Sequence, residues 1–133
     1  LIRSSLEHAT MLKLNDEEVS TVALLLKLDG SIEAVCHQVL ELFALDSVIL
    51  TRGAYGCNIY TAGGSNYHPS KEVSVIDTVG AGDSFTAAYV SALLAGRSRP
   101  DAIRFSTQVA AFVCTQRGAM PALPPEYRMW LEE

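Results

Sequence analysis

Apolar positions repeat with a helical period in the first third of the chain, with a strand-like period in the middle, and with a helical period again towards the end. Residues 11–14 read as a brief extended run. Asn15 then opens a helix, with Asp16, Glu17 and Glu18 in the first turn, where negative charge favours the open N–H groups. Val19, Val22, Ala23 and Leu26 follow at helical spacing, Gly30 stops the pattern, and Ile32, Val35, Cys36, Val39, Leu40 and Phe43 restart it. Two amphipathic helices are predicted there. Residues 47–50 form a short β-branched and aliphatic run ending at Thr51, as expected of a buried strand. Residues 57–61 and 66–68 flank the turn signal Ala62-Gly63-Gly64-Ser65 and predict a hairpin. Residues 73–76 are a further brief extended run.

A helix is predicted over residues 81–94 with no charge after Asp83, so nearly every side is expected to face protein. The next, from Asp101 to about Gln116, places Ala102, Phe105, Val109, Phe112 and Val113 on one face behind Pro100, and Gly118 ends it. Residues 126–131 offer one or two closing turns. Strands alternating with helices define an α/β layered domain.

Composition narrows the function classes. With 133 residues, 49% hydrophobic and 19% charged, the chain suits a single globular domain with its own core. The net charge of −5 and scattered Lys and Arg give no footprint for nucleic acid or an anionic membrane, which points to a small-molecule partner. The longest apolar stretches, residues 22–28 and 87–94, are too short to span a bilayer and no leader opens the chain, so a soluble protein is expected. Cys36, Cys57 and Cys114 are widely spaced and form no CxxC pair, which suits reduced, buried thiols in a cytoplasm. His8, His37 and His68 stand apart and have no partner at metal-ligand spacing.

The chemistry gathers at Asp77-Thr78-Val79-Gly80-Ala81-Gly82-Asp83. Gly80 and Gly82 permit a tight turn that brings bare N–H groups to a ligand, and the helix behind adds the positive end of its dipole. A carboxylate in a passive phosphate cradle would repel its ligand, so Asp83 needs a reason to be there. Phosphoryl transfer supplies one. Asp83 can accept the proton of an attacking hydroxyl while Gly80, Ala81 and Gly82 donate to the transferring group. No GxxxxGK[ST] occurs, and Gly80-Ala81-Gly82-Asp83-Ser84-Phe85 lacks the third glycine of a dinucleotide fingerprint. Two glycines that merely open a core helix are the plain structural alternative.

The run from Asp77 to Phe85 with its small-residue helix resembles the second signature of the PfkB, or ribokinase-like, carbohydrate kinases, in which the last Asp is the catalytic base. Three further segments resemble that family in order. Asn15 and Glu18 match its Asn-x-x-Glu element near the phosphates and magnesium (Mg2+), although they equally make an ordinary capping pair. Thr51-Arg52-Gly53-Ala54-Tyr55-Gly56 resembles its Thr-x-Gly-x-x-Gly turn beside the nucleotide, although a strand-to-hairpin turn also explains Gly53 and Gly56. Residues 110–121 resemble the adenine-side wall, with Ala111 and Gly118 the positions taken from it, although an amphipathic helix with a Gly cap is as good an account of most of them.

The resemblance implies a ribokinase-like layered α/β fold, its central, mostly parallel sheet flanked by helices. It implies ATP and Mg2+ as cofactors, with Thr78 among the nucleotide-binding positions and Glu18 acting on magnesium indirectly. A monovalent cation, potassium (K+), is implied at Asp77, Val79, Val113 and Gly118. The implied acceptor is an alcohol of a carbohydrate, and ribose, fructose, ketodeoxygluconate, nucleosides and vitamin-like alcohols all lie within the family's range. The full-length protein is compatible with a homodimer. The family's sugar-contacting half and its β-sheet lid are missing from this sequence. Residues 1–133 are therefore expected to be the C-terminal ATP-binding and catalytic part, inactive alone and with an unpaired sheet edge. A non-catalytic nucleotide- or partner-binding module and an interaction domain without nucleotide are the competing classes.

Overall fold

The computed structural model describes residues 1–133. α1 (Ile2–Leu6), β1 (Met11–Asn15), α2 (Asp16–Leu26), α3 (Ile32–Leu42), β2 (Ser47–Thr51), a 3-10 turn (Gly53–Tyr55), β3 (Cys57–Thr61) and β4 (Gly64–His68) come first. α4 (Ala81–Leu94), α5 (Arg99–Cys114) and α6 (Pro125–Glu132) follow. Leu1–Pro69 form one compact unit and Ser70–Glu133 a second.

In the first unit the start of α2 is fixed by a reciprocal capping box. The Glu18 N–H donates to Asn15 Oδ1 at 2.9 Å, and the Asn15 N–H donates to Glu18 Oε2 at 2.8 Å. Ser31 caps α3 in the simpler way, its Oγ accepting the Ala34 N–H at 3.1 Å. α2 ends before the predicted stop at Gly30: Lys27 turns left-handed at φ 55°, and the Leu28 N–H closes on the Ala23 carbonyl at 2.9 Å. Leu28 packs against the core, and its burial offsets the roughly 1–2 kcal/mol that a left-handed non-glycine residue costs.

The strands run in the order β1-β2-β3-β4, with β1 and β2 parallel and the other two pairs antiparallel. Where the sequence leads one to expect a mostly parallel sheet, this chain holds a mixed one. Only β1 and β2 are joined by helices, and the short connections after β2 and β3 permit only antiparallel returns. β4 begins at Gly64 rather than Asn66. Val19, Val22, Val35, Cys36, Val39 and Leu40 of α2 and α3 pack with Leu14, Val48, Leu50 and Tyr60 of the sheet in one buried cluster. Each buried Val or Leu there contributes roughly 1.5–3 kcal/mol relative to exposure.

In the second unit α5 starts at a Ser98 cap whose Oγ accepts the Asp101 N–H at 3.3 Å. α4 buries Phe85, Ala88, Tyr89 and Ala92, a stripe at helical spacing, and packs against α5. Thr86, Ala87, Val90 and Leu94 remain exposed, which corrects the expectation that nearly every side of this helix is covered. A single packed neighbour buries one stripe of a helix and leaves the opposite one to solvent. Residues 73–76 form no strand, because the Ile76 N–H turns to the Cys114 carbonyl at 2.8 Å instead of to a ladder. α6 closes on α5 through Trp130, which stacks on Phe105 with ring centroids 4.5 Å apart. No helix is long and apolar enough to cross a membrane.

Candidate functional site

The predicted site residues fall into two groups, one in each unit. In the second unit, Gly80 stands at φ 82° as the N-cap of α4 and offers no side-chain cap. α2, α3 and α5 each have one of their first N–H groups covered by an Asn or Ser side chain; α4 has none so covered. The Ala81 N–H is partly engaged, donating to the Thr78 carbonyl at 3.3 Å, which leaves the Gly80 and Gly82 N–H groups as the freer donors of the predicted three. Asp83 lies in the first turn and is exposed, and its carboxylate enters no hydrogen bond or ion pair. An open helix N-terminus and an uncommitted carboxylate one residue past Gly82 are thus presented together.

The loop before α4 is tied to the turn after α5. Asp77 Oδ1 accepts the Val79 N–H at 3.0 Å, and Oδ2 accepts the Gly118 N–H at 3.1 Å. These bonds, Val79 first and Gly118 second, hold the Asp77 carboxyl below its ordinary range. The Asp77 N–H itself donates to the Cys114 carbonyl at 3.2 Å. Gly80 lies so close to Ala119 that a Cβ added to it would stand 2.6 Å from the Ala119 carbonyl oxygen, so glycine is required there for space as well as for its backbone angle. Burial, and then the Asp77 charge, push the Cys114 thiol up.

Of the positions expected around a monovalent cation, Asp77, Val79 and Gly118 are therefore neighbours. Val113 is buried, and its carbonyl accepts the Gln116 N–H at 3.0 Å. Ala111 is also buried within α5, so the open surface of the expected base wall begins at Arg117 and Gly118. The sequence reading placed Cys114 and Ala119 within the expected base wall but not against the loop before α4, where the Cys114 carbonyl meets Ile76 and Asp77 and Ala119 meets Gly80. The only signal for them is the Gly118-Ala119 pair just past a helix, since backbone contacts leave little trace in residue types.

In the first unit, β1 and β2 end side by side, with Asn15 paired to Thr51 in register and Thr51 Oγ1 donating to the Leu14 carbonyl at 3.3 Å. Gly53 at φ 53° and Gly56 at φ 80° form the turn that follows, closed by the Arg52 N–H on the Gly56 carbonyl at 2.8 Å. Asn15, Glu18, Thr51, Gly53 and Gly56 thus gather at the carboxyl end of the parallel pair, where open α/β sheets bind ligands. Arg52 Nε stands 3.9 Å from Asp16 Oδ1, a link across these two loops that the sequence did not show. No three His, Cys, Asp or Glu side chains converge on a metal position. Glu18 Oε2 accepts the Asn15 backbone N–H at 2.8 Å.

Solved structures place this arrangement in a known class. Ribokinase from Thermotoga maritima superposes with a TM-score of 0.84 at 26% identity, covering 96% of this chain and 44% of that one. Fructokinase from Vibrio cholerae O395, bound to fructose, ADP and calcium ion, gives 0.79 at 28% identity, covering 98% of this chain and 43% of that one. The fold is the ribokinase-type α/β fold. The family model of the pfkB family carbohydrate kinases matches residues 1–126, and the chain belongs to that family. Fructokinase-2 of Solanum habrochaites is 33% identical over 131 residues, covering 92% of this chain and 38% of its own length. The chain thus spans about two fifths of the length of such relatives.

Proposed function

We propose that these residues are the nucleotide-binding and catalytic part of an ATP-dependent kinase that phosphorylates a hydroxyl of a small sugar, fructose or ribose being the first candidates. The observation that carries the reading is Asp83, an uncommitted carboxylate in the first turn of α4 directly behind the open Gly80–Gly82 backbone. Asp83 accepts the proton of the sugar hydroxyl as that oxygen bonds to the terminal phosphorus of ATP and the bond to the ADP oxygen breaks. The Gly80 and Gly82 N–H groups, with Ala81 once its bond to Thr78 gives way, stabilise the charge on the transferring oxygens. Within the first unit, Asn15, Thr51, Gly53 and Gly56 are the nucleotide-binding candidates at the sheet end; within the second, Thr78 is the candidate for the phosphates, and Ala111 and Gly118 are those for the base. Glu18 would help order magnesium indirectly beside the nucleotide, where the ion would supply charge neutralisation.

Asp77, Val79 and Gly118 are the neighbouring oxygen donors for potassium, and Val113 joins them only if its carbonyl gives up the Gln116 N–H; hard oxygen donors suit such an ion. On this reading the acceptor sugar is contacted by residues of the whole protein outside these 133, since the chain matches only 38% of the length of the Solanum habrochaites relative. The chain alone is therefore expected to turn over no ATP on sugars. The test is ADP release by the full-length protein with a panel of pentoses and hexoses, beside its Asp83→Asn variant. Sugar-dependent turnover that collapses in the variant supports the reading. ATP binding without turnover on any sugar would replace it with a non-catalytic nucleotide module.

A further inference from the structure

We infer that Asp77 is a positioning residue that couples the anion-binding loop to the turn after α5, so that the phosphate side and the base side of the nucleotide site are set by one clamp. The inference rests on the nucleotide-site reading given above. Four contacts join residues 76–80 to residues 114–119. The Ile76 and Asp77 N–H groups share the Cys114 carbonyl at 2.8 and 3.2 Å, Asp77 Oδ2 receives the Gly118 N–H at 3.1 Å, and Gly80 abuts Ala119 with no room for a methyl group. Three of these contacts come from backbone and from the missing side chain of a glycine. Only the Asp77 carboxylate can be altered without touching the backbone geometry.

That carboxylate is bidentate in its action. Its Oδ1 fixes the Val79 N–H at 3.0 Å and so sets the residue before the left-handed Gly80, while its Oδ2 fixes Gly118, itself left-handed at φ 81°. One side chain therefore orients the two glycines that aim the loop and the turn. A ligand touching only one of them needs no coupling. A ligand touching both gains from having their separation set beforehand, because binding costs less when the groups it needs are already held in place.

The experiment uses Asp77→Asn and Asp77→Ala in the full-length protein. Amide hydrogen exchange is read at Val79 and Gly118, with buried Ile103 of α5 as the internal reference for an intact fold. Affinities are measured calorimetrically for ATP, adenosine and inorganic tripolyphosphate. The expected result is exchange at Gly118 faster by about tenfold or more with Ile103 unchanged. ATP should weaken by about tenfold or more, while adenosine and tripolyphosphate each change by less than about threefold. Undisturbed Gly118 protection in Asp77→Ala would overturn the clamp, and equal weakening of ATP and adenosine would overturn the coupling. Wild-type protein that binds no ATP would remove the nucleotide reading and the coupling together. Wild-type binding with unaltered ATP affinity in both variants would remove the coupling alone.

Discussion

The Asp77 carboxylate accepts the Gly118 N–H at 3.1 Å across 41 positions of sequence. Because the bond from Val79, and then this one, are stronger to the ionised acid, they hold its folded pKa below the ordinary 3.8. A depressed folded value means that the contribution is fully present above 3.8 and is lost as pH falls through the folded value. The Gly118 amide resonance should therefore titrate with a midpoint below 3.8 and in step with the Asp77 carboxyl carbon. A Gly118 amide that does not follow Asp77 would contradict the assignment.

Base and cradle separate by mutation. Asp83→Asn preserves the shape and helix start but removes the proton acceptor, so turnover of the full-length enzyme should fall by roughly 10²–10⁴-fold while ATP binding survives. Gly82→Ala should instead weaken phosphate binding and turnover by crowding the donors, although the helix itself gains roughly 0.5–1 kcal/mol. Steady-state kinetics beside thermal unfolding distinguish the two patterns. Full turnover in Asp83→Asn would leave a phosphate site without a base.

Asn15 carries a structural duty that can be isolated. Asn15→Ala removes the acceptor for the Glu18 N–H and should cost about 1 kcal/mol in a denaturant titration. Asn15→Asp caps as well, so stability should hold within a few tenths of a kcal/mol. Any loss of ATP affinity in Asn15→Asp then reports charge near the phosphates rather than helix fraying.

The α6 clasp should be measurable by itself. Arg97 lies 4.7 Å from the centre of the Trp130 ring and also donates to the Trp130 carbonyl, and the same ring stacks on Phe105. Trp130→Phe retains part of the stack and Trp130→Ala none, so stability should fall stepwise, by roughly 1–3 kcal/mol for the alanine. Circular dichroism is the proper probe, since Trp130 is the single tryptophan.

Potassium provides a ligand-removal test. If Asp77, Val79, Val113 and Gly118 hold the cation, turnover of the full-length enzyme should rise when potassium replaces a bulky organic cation at constant ionic strength. Equal rates in the two salts would strike out that site.

What the sequence determined by itself is whatever a few neighbouring residues decide. Asn15 and Glu18 close a capping box within one turn, Gly80 supplies the left-handed angle that opens α4, and the spacing of Val35, Val39 and Leu40 marks the inward face of α3. The motif from Asp77 to Asp83 was legible for the same reason, because a glycine-led helix start and its carboxylate are chemically complete within seven residues of chain. Tertiary structure decided what depends on a distant partner. Residues 73–76 look like a strand, but their last amide is drawn to the Cys114 carbonyl, and an extended segment becomes a strand only where a ladder is on offer. Lys27 ends α2 ahead of Gly30, where the partly buried Leu28 packs against the core and its N–H closes on the Ala23 carbonyl. With no charge after Asp83, α4 reads as covered all round, yet Val90 and Leu94 are exposed, since apolarity records what a face can bury and only packing records what lies against it. The tie from Asp77 to Gly118 joins a side chain to a backbone amide, and an amide carries no residue-type signature, so only the folded chain could bring that pair to light.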